Sequence, residues 1–178
     1  MIYTLLANGF EEVEALTVVD ILRRAEIDVQ TVSIYDSKTV TGGHGIAVTA
    51  DITLSEMKEG DMVFLPGGMP GVTNLEADKT VIHILKDYEK NGKYIAAICA
   101  APSILGHLGI LKGKKAACYP RFEKDLIGAE VVFDKVVQDR KVITSRGAGT
   151  AAELAFSIVS LYKNKELANS LRSGMIYE

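Results

Sequence analysis

The sequence predicts one α/β domain in which helices cover both faces of a mostly parallel β-sheet. Three observations support this prediction. The chain has 178 residues, of which 48% are hydrophobic, so it can bury one large core without a second domain. Short apolar runs typical of buried strands alternate with segments of helical periodicity. No internal repeat, low-complexity stretch or linker divides the chain.

The first third of the chain is predicted to form two strands, one helix and a hairpin. Ile2 to Ala7 is a short apolar run typical of a buried strand, and Glu11 to about Glu26 has apolar residues at helical spacing. Asp28 to Ile34 is rich in β-branched residues and is predicted as the next strand. Thr39 to Ala50 is extended sequence interrupted by glycines, which indicates a hairpin with His44 at its tip. The predicted apolar stripe of the helix contains Val13, Leu16, Val19 and Leu22.

The middle of the chain continues the alternation of strand and helix. Asp61 to Leu65 is a predicted buried strand that stops at a proline and two glycines, and Leu75 to Asn91 is a predicted amphipathic helix. Gly71 to Asn74 is expected to form the loop that leads into this helix. Lys93 to Ile98 is the next apolar strand. A proline at position 102 suits the first turn of a helix that runs to about Leu108.

The last third of the chain adds two extended segments and two helices. Lys115 to Tyr119 and Val131 to Ser145 are predicted to be extended, and the second of them turns at residues 138 to 140. Thr150 to Glu153 matches the capping-box pattern, which predicts the start of an apolar helix that ends near Tyr162. Lys165 to Arg172 is a predicted terminal helix. Because ligands gather at the carboxyl ends of strands in such sheets, functional residues are expected there.

Charge, hydropathy and cysteine content exclude several classes of protein. The net charge of -3 comes from intermixed acids and bases, and without a basic run we expect no nucleic-acid partner. No apolar stretch approaches the ~20 residues that span a bilayer, and Met1 precedes no basic leader, so we expect a cytoplasmic protein without a membrane partner. Two cysteines are too few for a disulfide framework. Because nucleotide-binding motifs and close His/Cys clusters are lacking, neither a metal nor a cofactor is expected.

Cys99 is the strongest candidate for a reactive residue. It lies in Ala97-Ile98-Cys99-Ala100-Ala101, where small residues on both sides suit the sharp strand-to-helix turn of a nucleophile elbow. The N–H groups and positive dipole end of the following helix favour the thiolate, which predicts a lowered thiol pKa. The alternative is an inert core cysteine, the commoner fate of a single cysteine after an apolar strand. The elbow pattern favours the reactive interpretation.

Glu14 is the second unusual residue, because it heads an apolar helical face. Residues of the same face are Val18, Ile21 and Ala25. Burial there would raise the pKa of the carboxyl, so that a protonated Glu14 could donate a hydrogen bond to a nearby thiolate. Glu11 and Glu12 have the character of ordinary first-turn acids that complement the helix dipole. The residues alone leave open whether Glu14 also has only that role.

Three further features have weaker signals. The glycines after the strand at Asp61 to Leu65 let backbone N–H groups approach a ligand, and the N–H groups of Gly68 and Ala100 can form an oxyanion hole. An ordinary turn is the alternative. His44 is the one histidine on a glycine-rich tip, and no triad is evident from the three histidines. Cys118 lies in an apolar run and is predicted to be a buried structural thiol.

Four segments resemble motifs of the ThiJ/PfpI superfamily. They are Glu11-Glu12-Val13-Glu14, Leu65-Pro66-Gly67-Gly68, Ala96-Ala97-Ile98-Cys99-Ala100 and Thr144-Ser145-Arg146-Gly147. The segments occur in the order found in the superfamily, and the resemblance covers essentially the whole chain. The closest similarity is to the DJ-one branch, which is the parkinsonism-associated deglycase group.

The resemblance implies a flavodoxin-like three-layer sandwich with a mostly parallel central sheet, formed by one domain of residues 1 to 178 and usually assembled as a homodimer. It implies that Cys99 is the reactive cysteine and that Glu14 is its protonated hydrogen-bond partner. Two further residues, Ser145 and Arg146, are implied to lie near the pocket. The backbone implied to bind an oxyanion or the oxygens of oxidised sulfur belongs to Gly67, Gly68 and Ala100.

Two departures from the family pattern bear on function. Many DJ-one relatives have a histidine just before the proline of this segment, whereas this chain has Tyr119 before Pro120, so a Cys-His pair within one subunit is not expected. In the protease-like branch a histidine follows the nucleophile directly. Here that residue is Ala100, which disfavours proteolysis. His44 corresponds to a position near the family's dimer interface, from which it can supply a polar group to the second subunit.

The resemblance implies two functions of different classes. The first is a cofactor-independent enzyme for small reactive carbonyls such as methylglyoxal, either a glutathione-independent glyoxalase or a deglycase that reverses early glycation. The second is a non-enzymatic oxidative-stress sensor or redox-regulated chaperone, in which Cys99 is oxidised to a sulfinate. Glutamine amidotransferases need a catalytic histidine late in the chain. None of the three histidines lies beyond residue 107, which sets that class aside.

Overall fold

A computed structural model describes residues 1–177 as strands and helices that alternate along the chain. The strands are β1 (Ile2–Leu6), β2 (Val29–Ser33), β3 (Thr39–Thr41), β4 (Ala47–Thr49), β5 (Ile52–Thr53), β6 (Met62–Leu65), β7 (Tyr94–Ile98), β8 (Lys115–Ala116), β9 (Glu130–Val131), β10 (Val136–Asp139) and β11 (Val142–Ser145). The helices are α1 (Glu12–Arg24), α2 (Gly71–Ala77), α3 (Lys79–Lys90), α4 (Pro102–His107), α5 (Ala151–Tyr162) and α6 (Lys165–Gly174). Within the described residues, no helix combines the length and the apolar character that crossing a membrane requires.

Seven strands form the central sheet, in the order β10-β11-β7-β6-β1-β2-β5. Every neighbouring pair is parallel except β10 and β11, which form an antiparallel edge. The mostly parallel sheet predicted from the sequence is therefore confirmed. Strands β3 and β4 form the predicted hairpin outside this sheet, and β8 pairs with β9 in a small separate one.

Helices cover both faces of the central sheet, because successive side chains of a buried strand point to opposite faces. In β6, Met62 and Phe64 belong to the core shared with α1, α5 and α6. Val63 and Leu65 belong to the core shared with α2, α3 and α4. The result is a three-layer sandwich, in which β1, β6, β7 and β11 end at the same edge of the sheet.

The orientation of α1 differs from the predicted stripe. Val13 is 53% exposed and Leu16 is 37% exposed, so these two apolar residues lie on the outer side of the helix. Val19 and Leu22 are buried as expected, together with the face that Glu14 heads. Helix α1 packs against both the sheet and α5, and these contacts select the face that contains Glu14.

One predicted helix start and one predicted capping interaction are also corrected. Gly71 to Asn74 is the first part of α2 and not a loop, and a separate helix α3 begins after Asp78, whose carboxylate accepts the N–H groups of Thr80 and Val81. The predicted capping box of α5 does not form, since the Thr150 side chain accepts no hydrogen bond from the first turn of that helix. The Thr150 hydroxyl instead accepts hydrogen bonds from the N–H groups of Arg146 and Gly147, in the loop before α5.

Candidate active site

Cys99 lies at the carboxyl end of β7 with a backbone that is rare for a residue with a side chain. Its φ of 65° is in the left-handed region, which costs about 1–2 kcal/mol outside glycine. Two hydrogen bonds hold this conformation: the Cys99 N–H donates to the Ser145 carbonyl at 3.0 Å, and the Tyr119 N–H donates to the Cys99 carbonyl at 2.8 Å. The sharp turn predicted from the sequence is therefore present, and it fixes the position of the sulfur.

Glu14 reaches the same place from the first turn of α1. Its side chain is only 1% exposed, so the burial expected from the apolar face is confirmed. The Oε2 atom accepts the Gly67 N–H at 2.8 Å. The carboxyl group is also close enough to the Cys99 thiol for the charge of Glu14 to raise the thiol pKa. Residues far apart in sequence are thus joined at one edge of the sheet.

Gly67 is the point at which these two side chains meet. A methyl group at its Cα would lie 2.5 Å from Cys99 Cβ, 2.6 Å from Glu14 Oε2 and 3.1 Å from Cys99 Sγ. Its single N–H is donated to Glu14, so among the three residues predicted to bind an oxyanion Gly68 and Ala100 are the ones whose N–H groups act on the sulfur. The N–H groups of Gly68 and Ala100 are directed at the sulfur of Cys99 and lower its pKa.

Burial and mutual repulsion determine how the pair ionises. Burial raises the pKa of Glu14 to about 7, although the Gly67 N–H and Cys99 act in the opposite direction. Burial and the Glu14 charge raise the pKa of Cys99 to about 12, against the effect of the two N–H groups. The lowered thiol pKa expected from the helix dipole is therefore not found beside an ionised Glu14. The two groups titrate as a coupled pair, and a proton on Glu14 removes the charge that opposes the thiolate.

The raised pKa of Glu14 predicts how stability depends on pH. Folding favours the protonated carboxyl, so this contribution is complete below the ordinary pKa of 4.5 and is lost as pH rises through about 7. Relative to Glu14→Gln, the wild type should lose about 3 kcal/mol of unfolding free energy over that range. Urea denaturation of both proteins at several pH values measures this difference. A difference that does not change with pH would contradict the raised pKa.

The close contacts of Gly67 predict that Gly67→Ala separates Glu14 from Cys99. The added methyl group must displace one or both side chains, so we expect a loss of about 1–3 kcal/mol in stability and a much less reactive thiol. Thermal denaturation and the rate of alkylation by iodoacetamide measure the two effects. Gly149→Ala is the matched control, because a methyl group there contacts nothing within 4 Å. Equal alkylation rates for the wild type and Gly67→Ala would contradict the described geometry.

Tyr119 lies at the rim of the site. Its side chain is 49% exposed, and its ring faces Gly147, where a methyl group would lie 3.2 Å from Tyr119 Cδ2 and 3.9 Å from Glu14 Oε1. Gly147 is therefore a neighbour of both the Tyr119 ring and the carboxyl of Glu14. Through its N–H, Tyr119 also supports the backbone of Cys99.

Ser145 and Arg146 contribute to the site differently from what the resemblance implied. The Ser145 carbonyl anchors Cys99, but its hydroxyl is buried and directed away, towards the Lys135 carbonyl at 2.6 Å and Thr150 Oγ1 at 2.7 Å. The Arg146 guanidinium lies 5.5 Å from the centre of the Phe133 ring. Its charge lowers the pKa of the second cysteine, which burial raises to about 11.

His44 is held at the start of α1. Its Nδ1 lies 2.7 Å from Glu12 Oε2, and its backbone N–H donates to Glu12 Oε1 at 2.8 Å. Glu12 lies in the first turn of α1 as predicted, but it is buried and paired with His44, which the sequence did not indicate. The hydrogen bond with Glu12 raises the pKa of His44. Ligand-type atoms of Glu11, Glu12 and His44 lie within 4.8 Å of one another, a cluster that the sequence did not suggest.

The second cysteine is buried, as predicted for a structural thiol. Cys118 belongs to the core on the α2, α3 and α4 face of the sheet. Burial raises its pKa, and the Glu123 charge adds to this effect. Cys99 is the more exposed of the two thiols, which makes it the more accessible to a small electrophile.

Comparisons with known proteins show the family to which the chain is similar. Residues 1–161 match the model of the DJ-1/PfpI family. The chain is 39% identical to Protein DJ-1 homolog B of Arabidopsis thaliana over 96% of its own length, but it spans only 40% of that relative. It is also 33% identical to the glutathione-independent glyoxalase DJR-1.2 of Caenorhabditis elegans, covering 90% of this chain and 87% of that protein.

A solved structure extends the similarity to three dimensions. The structure is that of a mutant of a DJ-1 superfamily protein from Salmonella typhimurium, in which a cysteine is replaced by alanine. The two chains superpose with a TM-score of 0.95 at 35% sequence identity, covering 99% of this chain and 98% of the other. The fold, the four motifs and the family match agree over nearly the whole sequence. This chain belongs to the DJ-1/PfpI family.

Proposed function

We propose that this protein converts small reactive carbonyls such as methylglyoxal to hydroxy acids without glutathione, using Cys99 and Glu14. The observation that carries the proposal is that the buried carboxyl of Glu14 and the thiol of Cys99, a partly exposed residue, meet at Gly67. A nucleophile, an acid/base group and two N–H donors are what covalent catalysis on an aldehyde requires. The relative from Caenorhabditis elegans, whose name is that of a glutathione-independent glyoxalase, supports this choice.

The reaction begins when the Cys99 sulfur bonds to the aldehyde carbon of methylglyoxal. Glu14 gives its proton to the aldehyde oxygen, and a hemithioacetal forms. The resulting carboxylate removes the hydrogen of that carbon as a proton and returns it to the neighbouring carbon, while the hydroxyl proton of the hemithioacetal moves to the former ketone oxygen, so that the first carbon becomes the carbonyl of a thioester. Water then hydrolyses the thioester to lactate and the free thiol. One carbon is oxidised while its neighbour is reduced, so water is the only co-reactant.

The N–H groups of Gly68 and Ala100 stabilise the negative charge of this reaction. They are directed at the sulfur and therefore favour its ionised form before the addition. Preorganised donors of this kind are effective because they do not need to reorient as charge develops. Glu14 is the only one of the two side chains whose pKa, at about 7, suits proton transfer near neutral pH.

The test is lactate production from methylglyoxal by the purified protein, without glutathione and in the presence of a chelator. We expect turnover with lactate formed in equal amount to the methylglyoxal consumed. Glyoxal and an early methylglyoxal adduct of N-acetylarginine are supplied in parallel, so that free carbonyls are compared with glycated groups. Loss of methylglyoxal without lactate would contradict the glyoxalase reaction, and release of free N-acetylarginine at a faster rate would favour a deglycase.

A redox role is the second proposal, and the residue before Pro120 favours it. Tyr119 stands where many relatives have a histidine, and a phenol is a poor base near neutral pH. The same N–H groups of Gly68 and Ala100 can hold the oxygens of a sulfinate at Cys99. Mild peroxide followed by peptide mass spectrometry should locate two added oxygen atoms at Cys99 before any at Cys118. Earlier oxidation of Cys118 would contradict the sensor.

We also propose that two copies of the chain assemble through the outer side of α1. Val13 and Leu16 are exposed there, and Ile46 is exposed on the hairpin that the His44–Glu12 pair holds against the start of α1. A second copy would cover this apolar surface. Light scattering should give twice the 19.2 kDa mass of one chain, and Leu16→Asp should give the mass of one. A wild-type protein of single-chain mass would contradict the dimer.

A further inference from the structure

We propose that this protein has a second binding site, which takes a small organic anion in a basic cavity at the end of the sheet opposite Cys99. The cavity has a volume of about 160 Å³. Its walls carry Lys93, Lys114, Arg140 and Lys141, and its floor is formed by Ile95 and Val142.

The cavity is separate from the site described above. Ile95 is near the start of β7 and Val142 is the first residue of β11, whereas Cys99 follows the last residue of β7. Four residues of extended strand between Ile95 and Cys99 correspond to about 13 Å. A ligand in the cavity therefore lies at the amino ends of the parallel strands and does not contact the thiol.

Lys114 is the residue that points most strongly to an anion. Its side chain is buried, with 9% exposure, and its Nζ donates to the Ile110 carbonyl at 2.5 Å. Among residues 1–177, no carboxylate lies within ion-pair distance of this Nζ, although the adjacent Lys115 has Glu130 at 3.7 Å. A buried charge without a counterion is unfavourable, and an ammonium group has three donors. An anion in the cavity would supply the missing charge.

The other basic side chains are held at the cavity by neighbouring groups. The Lys141 Nζ lies 4.0 Å from the centre of the Tyr94 ring. The Lys93 Nζ lies 3.0 Å from Glu59 Oε1 and 5.2 Å from the centre of the Tyr88 ring.

Arg140 is more loosely placed, with its Nε 3.8 Å from Asp139 Oδ1. Glu89 is the one acidic residue of the lining, and Lys93 and Arg140 have carboxylate partners outside it, so Lys114 and Lys141 are the lining cations that have no ion pair within the described residues. The chain as a whole has a net charge of -3, and the basic character of the cavity is therefore opposite to that of the protein.

Size and lining define the class of ligand. The volume of about 160 Å³ is well below the roughly 300–1,000 Å³ of pockets for drug-sized molecules, which excludes a nucleotide. The apolar floor of Ile95 and Val142 accommodates a compact hydrocarbon group beneath an anionic head. The shared chemistry is therefore a small organic oxyanion, whose head is a carboxylate or a phosphate monoester.

The test is a titration of the full chain with three probes, namely benzoate, phenyl phosphate and inorganic phosphate, at constant ionic strength maintained with chloride. Backbone NMR resonances of Gly92 and Lys141 should shift and saturate, while that of Cys99 stays unchanged. Saturation by benzoate identifies a carboxylate site, and saturation by either phosphate compound identifies a phosphate site. Absence of saturable shifts with all three probes would overturn the proposal.

Matched lysine variants assign the binding to the buried charge. Lys114→Met keeps an apolar stem. Its affinity for the probe should be lower by about tenfold or more, since a hydrogen bond between charged groups is lost. Lys115→Met is the control, because Lys115 is exposed and lies outside the cavity, and it should bind as the wild type does. Lys141→Gln gives an independent reading if Lys114→Met does not fold. Unchanged affinity in both cavity variants would overturn the proposal.

Discussion

Cys99→Ser is expected to abolish lactate formation from methylglyoxal, with turnover lower by about a thousandfold or more. A serine hydroxyl does not ionise near neutral pH and is a much weaker nucleophile than a thiolate. The backbone of residue 99 keeps its two hydrogen bonds in this variant, because both involve main-chain groups. The loss therefore measures the sulfur itself. Lactate assays under saturating methylglyoxal provide the comparison.

Cys118→Ser is the matched control for that result. Cys118 is the other thiol of the chain and is buried in the core on the α2, α3 and α4 face of the sheet. It should retain turnover close to that of the wild type once the folded fraction has been measured by circular dichroism. Equal turnover by the wild type and Cys99→Ser, or a larger loss in Cys118→Ser, would refute a reaction centred on Cys99.

Glu14→Gln is expected to reduce turnover by about 10²–10⁴-fold, the usual range for removal of a general acid/base group. The amide can still accept the Gly67 N–H, so the position of the side chain is preserved. The wild-type pair releases its protons at pKa values of about 7 and about 12, whereas the thiol of the variant should ionise in one step between these values. The thiolate absorbance as a function of pH measures this step.

This pair of measurements separates thiol ionisation from proton transfer. Without the carboxylate charge, the last proton of the site is lost at lower pH than in the wild type, yet the reaction becomes slower. Glu166→Gln is a suitable control, since Glu166 also lies in the first turn of a helix but is exposed. If Glu14→Gln kept full turnover, Glu14 would have no part in moving protons, and the proposed reaction would need another acid.

Much of the fold could be predicted because the burial of a strand is indicated by the residues of that strand alone. The continuous apolar runs of β1, β6 and β7 are typical of strands covered on both faces, and the structure confirms each of them. Cys99 and Glu14 could also be selected locally. The small residues around Cys99 indicated its turn, and the apolar face behind Glu14 indicated its burial.

Features that depend on contacts between distant segments could not be predicted. Helix α1 has apolar residues on two sides, and periodicity does not tell which side contacts the sheet. Val13 and Leu16 were therefore predicted on the buried stripe, although both are exposed. The Glu12–His44 pair joins residues far apart in sequence. The local sequence around Glu12 is typical of a first-turn acid and does not indicate this pairing. The sequence suggested that the Gly67 N–H binds an oxyanion. In the structure it donates to Glu14, which belongs to α1, a separate element of the fold.

The main chain of Cys99 is tied to two segments that follow it by about twenty and nearly fifty positions, namely those of Tyr119 and Ser145. Both hydrogen bonds must be intact for the sulfur to keep its position. The rate of alkylation at this thiol therefore reports whether these two segments are in place, and a proteolytic cut near either one should lower it. Damage to the protein is in this way converted directly into loss of chemical reactivity.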